Sequence, residues 1–169
     1  MIMLEKTKKS ILKVDRFIAN IEGAVLITGL IIMVLAGTAQ VVLRNFFNSG
    51  VEWADMFARS LVLWVGFIGA SLATRRSKHI NIEVISKFIT NPKFSKIRAT
   101  YVNVISFVIT SMLAWGAIEF IIIESKNGMT AFLNIPTWII FIIVPISLVL
   151  ISIRFFLEIF IGRIEEETI

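Results

Sequence analysis

Long apolar segments alternate with short polar connections along the whole chain. Three of these segments carry no charged residue: Gly23 to Leu43, Ala99 to Ile118 and Asn127 to Ile153, with lengths of 21, 20 and 27 residues. A helix needs roughly 20 apolar residues to cross the hydrocarbon core of a bilayer. Each of the three segments therefore predicts a transmembrane helix.

A fourth apolar segment, Ser60 to Thr74, has only 15 uncharged residues. At 1.5 Å per residue this is about 22 Å of helix, against a hydrocarbon core of roughly 30 Å. A helix that begins at Ala54 is long enough to cross. It places Arg59 just inside the membrane, where a long side chain reaches the headgroups or meets a buried partner.

Two polar stretches beside these segments have the pattern of amphipathic helices. The apolar side chains of the first share one helical face and are Ile11, Val14, Phe17, Ile18 and Ile21. Those of the second are Ile82, Ile85, Phe88 and Ile89. We expect both stretches to lie as helices in the membrane interface. For the second stretch, a solvated loop is the alternative.

The pattern predicts an all-α integral membrane protein with four transmembrane helices and two amphipathic interfacial helices. Hydrophobic residues make up 57% of the chain, so we expect residues 1–169 to form one membrane domain. The predicted bounds are 4–21 for the first interfacial helix, 22–44 and 54–75 for the first two spans, 80–90 for the second interfacial helix, and 97–123 and 135–160 for the last two spans.

The basic residues indicate the orientation. Seven Lys or Arg lie between Arg75 and Arg98, whereas the stretch from Arg44 to Arg59 carries two and the connection before the fourth span carries one. The positive-inside rule then predicts cytoplasmic N- and C-termini. The excess of basic residues on the cytoplasmic side thus accounts for the net charge of +5. We therefore expect membrane lipids rather than nucleic acid as partners of these residues. A cleavable signal peptide is the alternative for the first segment, but its apolar run is too long.

Chemistry-bearing residues are few. The chain has no cysteine and one histidine, His79, so we expect no metal site, no cofactor, no catalytic residue and no enzymatic activity. His79 is interpreted as an interfacial anchor together with Trp53 and Trp138. Arg154 and Glu158 are four residues apart near the end of the fourth span, which favours a local ion pair.

One face of the second span combines polar and small residues. This face contains Asp55, Arg59, Gly66, Ala70 and Ala73. Together with Gly69, which is four residues before Ala73, we expect these residues to form a helix or subunit interface. Small residues allow helix backbones to approach closely in lipid. Packing within the four-helix unit and packing against a separate membrane subunit both fit this pattern. The candidate contacts for Arg59 are Asp55 one turn earlier, a lipid phosphate and a carboxylate of a partner subunit.

Two blocks of sequence resemble a known family. The first contains Trp53-Ala54-Asp55, Arg59, Trp64, Gly69-Ala70, Arg75-Arg76 and His79-Ile80, and the second contains Ile135-Pro136-Thr137-Trp138, Pro145 and Arg154. Their order is similar to that in the small, DctQ-like membrane subunit of TRAP (tripartite ATP-independent periplasmic) transporters. One departure is Met56, where the family often has a second carboxylate. Glu52, one turn earlier, is the candidate substitute.

The resemblance implies a sodium-coupled importer of an organic anion, such as sialic acid or a C4-dicarboxylate, in a bacterial inner membrane. In such systems the small subunit forms an obligate heterodimer with a large membrane subunit. It enlarges the fixed scaffold of an elevator mechanism, and a periplasmic binding protein delivers the substrate. No substrate-binding residue is then expected in this chain.

Two other classes remain open beside this one. A membrane enzyme or haem subunit needs clustered His, Cys or carboxylates, and the single histidine of the chain argues against it. A self-sufficient small four-helix exporter also has four spans, but it needs a carboxylate within the membrane, and Glu22 lies only at the edge of the first span. The outward connections, which carry Glu52 and Lys126, either dock the binding protein or only link spans.

Overall fold

The computed structural model describes the backbone of residues 2–47, 50–86 and 92–166, and the side chains of residues 11, 13–47, 50–75 and 100–159. This part of the chain is almost entirely helical. The helices are α1 (Ile2–Phe47), α2 (Glu52–Ser86), α3 (Pro92–Asn127), α4 (Thr137–Phe141) and α5 (Ile143–Glu166), and a 3₁₀ turn occupies Phe132–Asn134.

Four stretches of the described helices are long and apolar enough to cross a membrane: Lys13–Phe47, Glu52–Arg75, Thr100–Asn127 and Thr137–Ile159. The predicted fold class, an all-α membrane protein with four spans, is confirmed. The polar stretch 4–21 and the first span form one continuous helix, and α2 likewise continues to Ser86. The placement of 4–21 and 80–90 in the interface stays a prediction, and residues 87–90 lie outside the described residues.

Helix α1 is held along one narrow seam. Most of its less exposed positions recur with alternating steps of four and three residues, and these are Asp15, Ala19, Glu22, Leu26, Gly29, Met33, Ala36, Gln40 and Leu43. This spacing is the heptad pattern of a two-helix contact. The seam packs on α2, and at Gly29 an added Cβ would lie 3.2 Å from Val65 Cγ2. The absence of a side chain there permits the close approach.

The helices follow one another in an open row in which α1 packs on α2, α2 on α5, and α5 on α3. Helices α1 and α3 therefore form the two edges of the row. We call the membrane surface with the α1–α2 and α3–α4 connections the loop side. The opposite surface, where α1 begins and α5 ends, is the terminal side.

The last span is interrupted one turn from its start. The α4 segment ends at Phe141, and α5 begins at Ile143, two residues before Pro145. Proline has no N–H, and its ring displaces the carbonyl four residues earlier, so the interruption follows from the sequence. At this break the Trp64 indole N–H of α2 donates to the Ile140 carbonyl over 2.9 Å, which ties α4 to α2.

Candidate functional site

The stripe of polar and small residues predicted on α2 is uncovered in the structure. Asp55, Arg59, Gly66 and Ala70 are exposed, and a Cβ added at Gly66 would meet no other atom within 4 Å. The four helices of the row thus leave this face open. Packing within the four-helix unit, the first of the two interpretations, does not account for it.

Gly69 belongs to a different face of α2. A Cβ built on this residue would lie 3.5 Å from Leu26 Cδ1 of α1, so Gly69 packs inside the chain. Ala73 is exposed with the stripe. Gly69 therefore belongs to a helix interface within the chain, whereas the role of the exposed stripe as an interface stays a prediction.

Arg59 lies seven residues inside α2, about 10 Å from the helix start at 1.5 Å per residue. It is exposed, and among the described residues it forms no ion pair, even with Asp55 one turn earlier. A guanidinium at this depth on a lipid-accessible surface costs free energy unless it snorkels or meets a partner. Among the described residues, the Arg59 guanidinium therefore has no ionic partner.

The best-formed polar site lies elsewhere, in the terminal half of the row, where Arg154 of α5 is 3% exposed. Its Nη2 donates to Glu22 Oε2 of α1 over 2.5 Å. Its Nη1 donates to the backbone carbonyl of Ser71 on α2 and also to the Ser71 hydroxyl at 2.7 Å. That hydroxyl in turn donates to Glu22 Oε1 over 2.6 Å. Three helices are joined at one guanidinium.

A second arginine and a second carboxylate extend this site. Arg154 Nε donates to Asp15 Oδ1 over 3.2 Å, and Arg75 Nε of α2 donates to Asp15 Oδ2 over 2.8 Å. We call Asp15, Glu22, Ser71, Arg75 and Arg154 the terminal ion network. Its two cations balance its two carboxylates, and the charges are hydrogen-bonded to one another. This is the condition under which buried charges are tolerated.

The terminal ion network adds partners that the sequence did not indicate. The pair of Arg154 with Glu158 stays a prediction, and the structure also gives Arg154 long-range partners on α1 and α2. Glu22, expected at the edge of the first span, is a buried member of the network. The spacing of seven between Asp15 and Glu22, and of four between Ser71 and Arg75, places each pair on one helical face, and this was the available signal.

The loop side is built from polar and aromatic contacts. The Gln40 side-chain amide brackets Val51, donating to its carbonyl over 3.2 Å and accepting from its N–H over 3.4 Å. Phe132 at the tip of the α3–α4 connection lies against Trp53 and Phe57, with ring centroids 6.4 and 5.6 Å apart. These contacts fix both connections against the start of α2.

The tip of the α3–α4 connection has an unusual backbone. Leu133 adopts φ 52° and ψ 31°, in the left-handed region, and its side chain is 66% exposed. This conformation disfavours a branched residue. The hydrogen bonds from Ala131 N to Ile135 O and from Thr137 N to Met129 O close the turn around it.

The remaining predicted residues lie apart from one another. Glu52 and Lys126 are exposed on the loop side, and Trp138 is half-buried at the start of α4. The backbone of His79 lies in α2, and its side chain is outside the described residues. Among the described side chains, no group of three or more His, Asp or Glu is placed to hold a metal ion.

Comparison with known proteins matches residues 33–164 to the model of the DctQ component of the tripartite ATP-independent periplasmic transporters. The chain is 31% identical over 70 residues to the sialic acid TRAP transporter permease protein SiaT of Haemophilus influenzae strain 86-028NP, covering 41% of this chain and 11% of that protein. It is 39% identical over 46 residues to a putative TRAP transporter small permease protein of strain ATCC 51907, covering 27% and 29%. A further small permease match is 22% identical over 129 residues, covering 76% and 78%.

Proposed function

The chain belongs to the DctQ component family of tripartite ATP-independent periplasmic transporters, and we propose that it acts there as the fixed scaffold of a sodium-coupled importer. In this role it forms an obligate complex with a large membrane subunit, and a periplasmic binding protein delivers the substrate. The substrate class is an organic anion, with a carboxylate such as sialic acid as the first candidate, because one relative is named a sialic acid permease.

The uncovered α2 face carries this proposal. It presents Arg59 within a span and small residues at Gly66 and Ala70, and no helix within the described part of the chain covers it. A charge in a span calls for a partner, and small residues suit close helix packing in lipid. The large membrane subunit is the partner that the family supplies.

The terminal ion network supports a scaffold rather than a carrier. Each of its carboxylates is engaged: Glu22 by Arg154 and Ser71, and Asp15 by two arginines. A four-helix exporter uses a membrane carboxylate that exchanges partners during transport. Glu22 is the candidate for that role here, and the guanidinium in contact with it makes the exporter the weaker proposal.

The orientation of the complex follows from the charges. We propose that the terminal side faces the cytoplasm of a bacterial inner membrane and that the loop side faces the periplasm. Glu52 and Lys126, both exposed on the loop side, then belong to the surface on which the binding protein docks. Charge reversal at both positions should weaken docking at low salt and have less effect at high salt, because exposed charges are screened beyond about 10 Å at 0.1 M.

Co-purification with the large subunit tests the proposal. Gly66→Leu adds bulk to the uncovered α2 face, so we expect it to separate the two subunits. Gly37→Leu on the exposed side of α1 is the matched control, because an added Cβ there also meets nothing within 4 Å, and it should leave the yield unchanged. Equal yields would remove the α2 face as the interface, and failure of the unaltered chain to co-purify would refute the proposed function itself.

Uptake by reconstituted vesicles tests the division of labour. The chain alone should give no flux of sialic acid or sodium, and the three components together should give both. Arg59→Ala should lower assembly and uptake together, with the sodium dependence of the residual uptake unchanged. A shifted sodium dependence with intact assembly would show that this subunit takes part in coupling.

A further inference from the structure

A second uncovered charge lies on α3, at the edge of the helix row. Glu119 is exposed, and its Oε1 accepts a hydrogen bond from the Trp115 indole N–H over 2.9 Å. The surrounding surface of α3 is apolar, with Trp115 itself 69% and Met112 71% exposed. A carboxylate thus stands in the middle of a surface that is otherwise suited to hydrocarbon.

The depth of Glu119 can be measured along α3. Five residues nearer the loop side, Glu124 contacts the hydroxyl of Thr137, the first residue of α4 and a neighbour of Trp138. Tryptophan marks the membrane interface. At 1.5 Å per residue, Glu119 lies about 7 Å deeper than this level.

The direction of the side chain increases this depth. Side chains on a helix lean toward its N-terminus, and α3 begins on the terminal side, so Glu119 leans away from the nearer surface. Its hydrogen bond to Trp115, one turn deeper, holds the carboxylate in that direction. Snorkelling to the loop-side headgroups is therefore opposed by the geometry. A charged side chain held within the span on a lipid-exposed helix therefore costs free energy unless it is paired.

We infer that the Trp115–Glu119 edge of α3 docks a transmembrane helix that carries a lysine or arginine at the same depth. One indole N–H leaves most acceptor positions of the carboxylate unused, and a basic side chain would supply both the donors and the counter-charge. This inference rests on the proposed function, since the large membrane subunit is the partner that brings further helices. The proposed contact lies on α3, apart from the α2 face, and consists of an ion pair between Glu119 and a basic side chain of the partner.

Spin labelling tests whether the edge is covered. Because the chain has no cysteine, Met112→Cys and, as control, Leu35→Cys on the exposed side of α1 each give one label site. In vesicles, we expect the large subunit to lower the oxygen accessibility of the Met112 label at least threefold and to leave the Leu35 label unchanged. Unchanged high accessibility at Met112 means that lipid covers the edge, which overturns the inference while the co-purified complex still stands.

Glu119→Gln tests the charge. The amide keeps an oxygen for the Trp115 indole, so the fold is preserved while the charge is lost, and we expect the complex to dissociate at least tenfold more readily. Leu113→Gln, a new amide at an exposed position about 120° around the helix from Glu119, involves no loss of charge; it is the matched control and should bind as the unaltered chain. Normal binding of Glu119→Gln overturns the inference, and so does low accessibility at Met112 in the chain alone. Failure of the unaltered chain to bind refutes the proposed function and this inference together.

Discussion

Removal of Arg154 should destabilise the protein more than any other single change in the terminal ion network. Arg154→Met keeps an unbranched apolar stem but removes the guanidinium that joins three helices. Glu22, only 8% exposed, would retain one hydroxyl donor and no cation. Loss of one partner from a buried ion pair costs about 3–5 kcal/mol, and we expect a loss in this range.

Two other variants set the scale for this effect. Ser71→Ala leaves the ion pairs in place and removes one neutral hydroxyl, so it should cost about 1 kcal/mol. Arg75→Gln breaks a pair in which the Arg75 side chain is 32% exposed, and it should cost at most about 1 kcal/mol. A second change, Glu22→Gln in the Arg154→Met background, restores the charge balance and should recover a large part of the loss.

The assay is equilibrium unfolding in mixed micelles with increasing sodium dodecyl sulfate, followed by circular dichroism. The double-mutant cycle between Arg154→Met and Glu22→Gln isolates their coupling from other effects. Interhelical hydrogen bonds between neutral groups in membrane proteins average about 0.6 kcal/mol. A loss of that size for Arg154→Met, without recovery by Glu22→Gln, would refute the view that a buried charge pair holds these helices.

Three further predictions address other parts of the molecule. Trp64→Phe removes the indole N–H bound to the Ile140 carbonyl and should cost about 1 kcal/mol in the same titration; no change would mean that the break in the last span needs no donor from α2. Leu133→Gly relieves a left-handed backbone and should stabilise the chain by about 1 kcal/mol, measured by thermal unfolding, whereas Leu133→Ala keeps the strain and should gain less than half as much. Cysteine at Lys13 should react with an impermeant maleimide only from the cytoplasm and cysteine at Asn127 only from the periplasm, and the reverse result would invert the proposed orientation.

The span count was predictable because hydropathy is a local property of the sequence. Each span except the second carries at least 20 uncharged residues in a row, and the second needed only the extension past Arg59. Helix continuity was less predictable. The polar start of α1 and the apolar span have different patterns and were predicted as two elements. No residue between them breaks a helix, and the structure has one continuous helix there.

The terminal ion network could not be predicted from the sequence, because it depends on which helices lie beside each other in the fold. Glu22 and Arg154 are 132 positions apart, and spacing within one helix says only that Arg154 has Glu158 one turn away. The same limit explains Gly69, which spacing groups with Gly66. Only the position of Leu26 on α1 shows that the two glycines have different neighbours.

The terminal ion network also has a consequence for synthesis. A ribosome delivers Glu22 with the first helix, Ser71 with the second and Arg154 only with the last, so the carboxylate enters the bilayer long before its cation is made. An uncompensated acid in hydrocarbon costs free energy, and an incomplete chain therefore carries a defect that only the final helix repairs. Chains that stop before α5 should be degraded by membrane proteases faster than complete ones. Glu22→Gln should remove that difference in degradation rate, because residue 22 is then neutral before α5 is made.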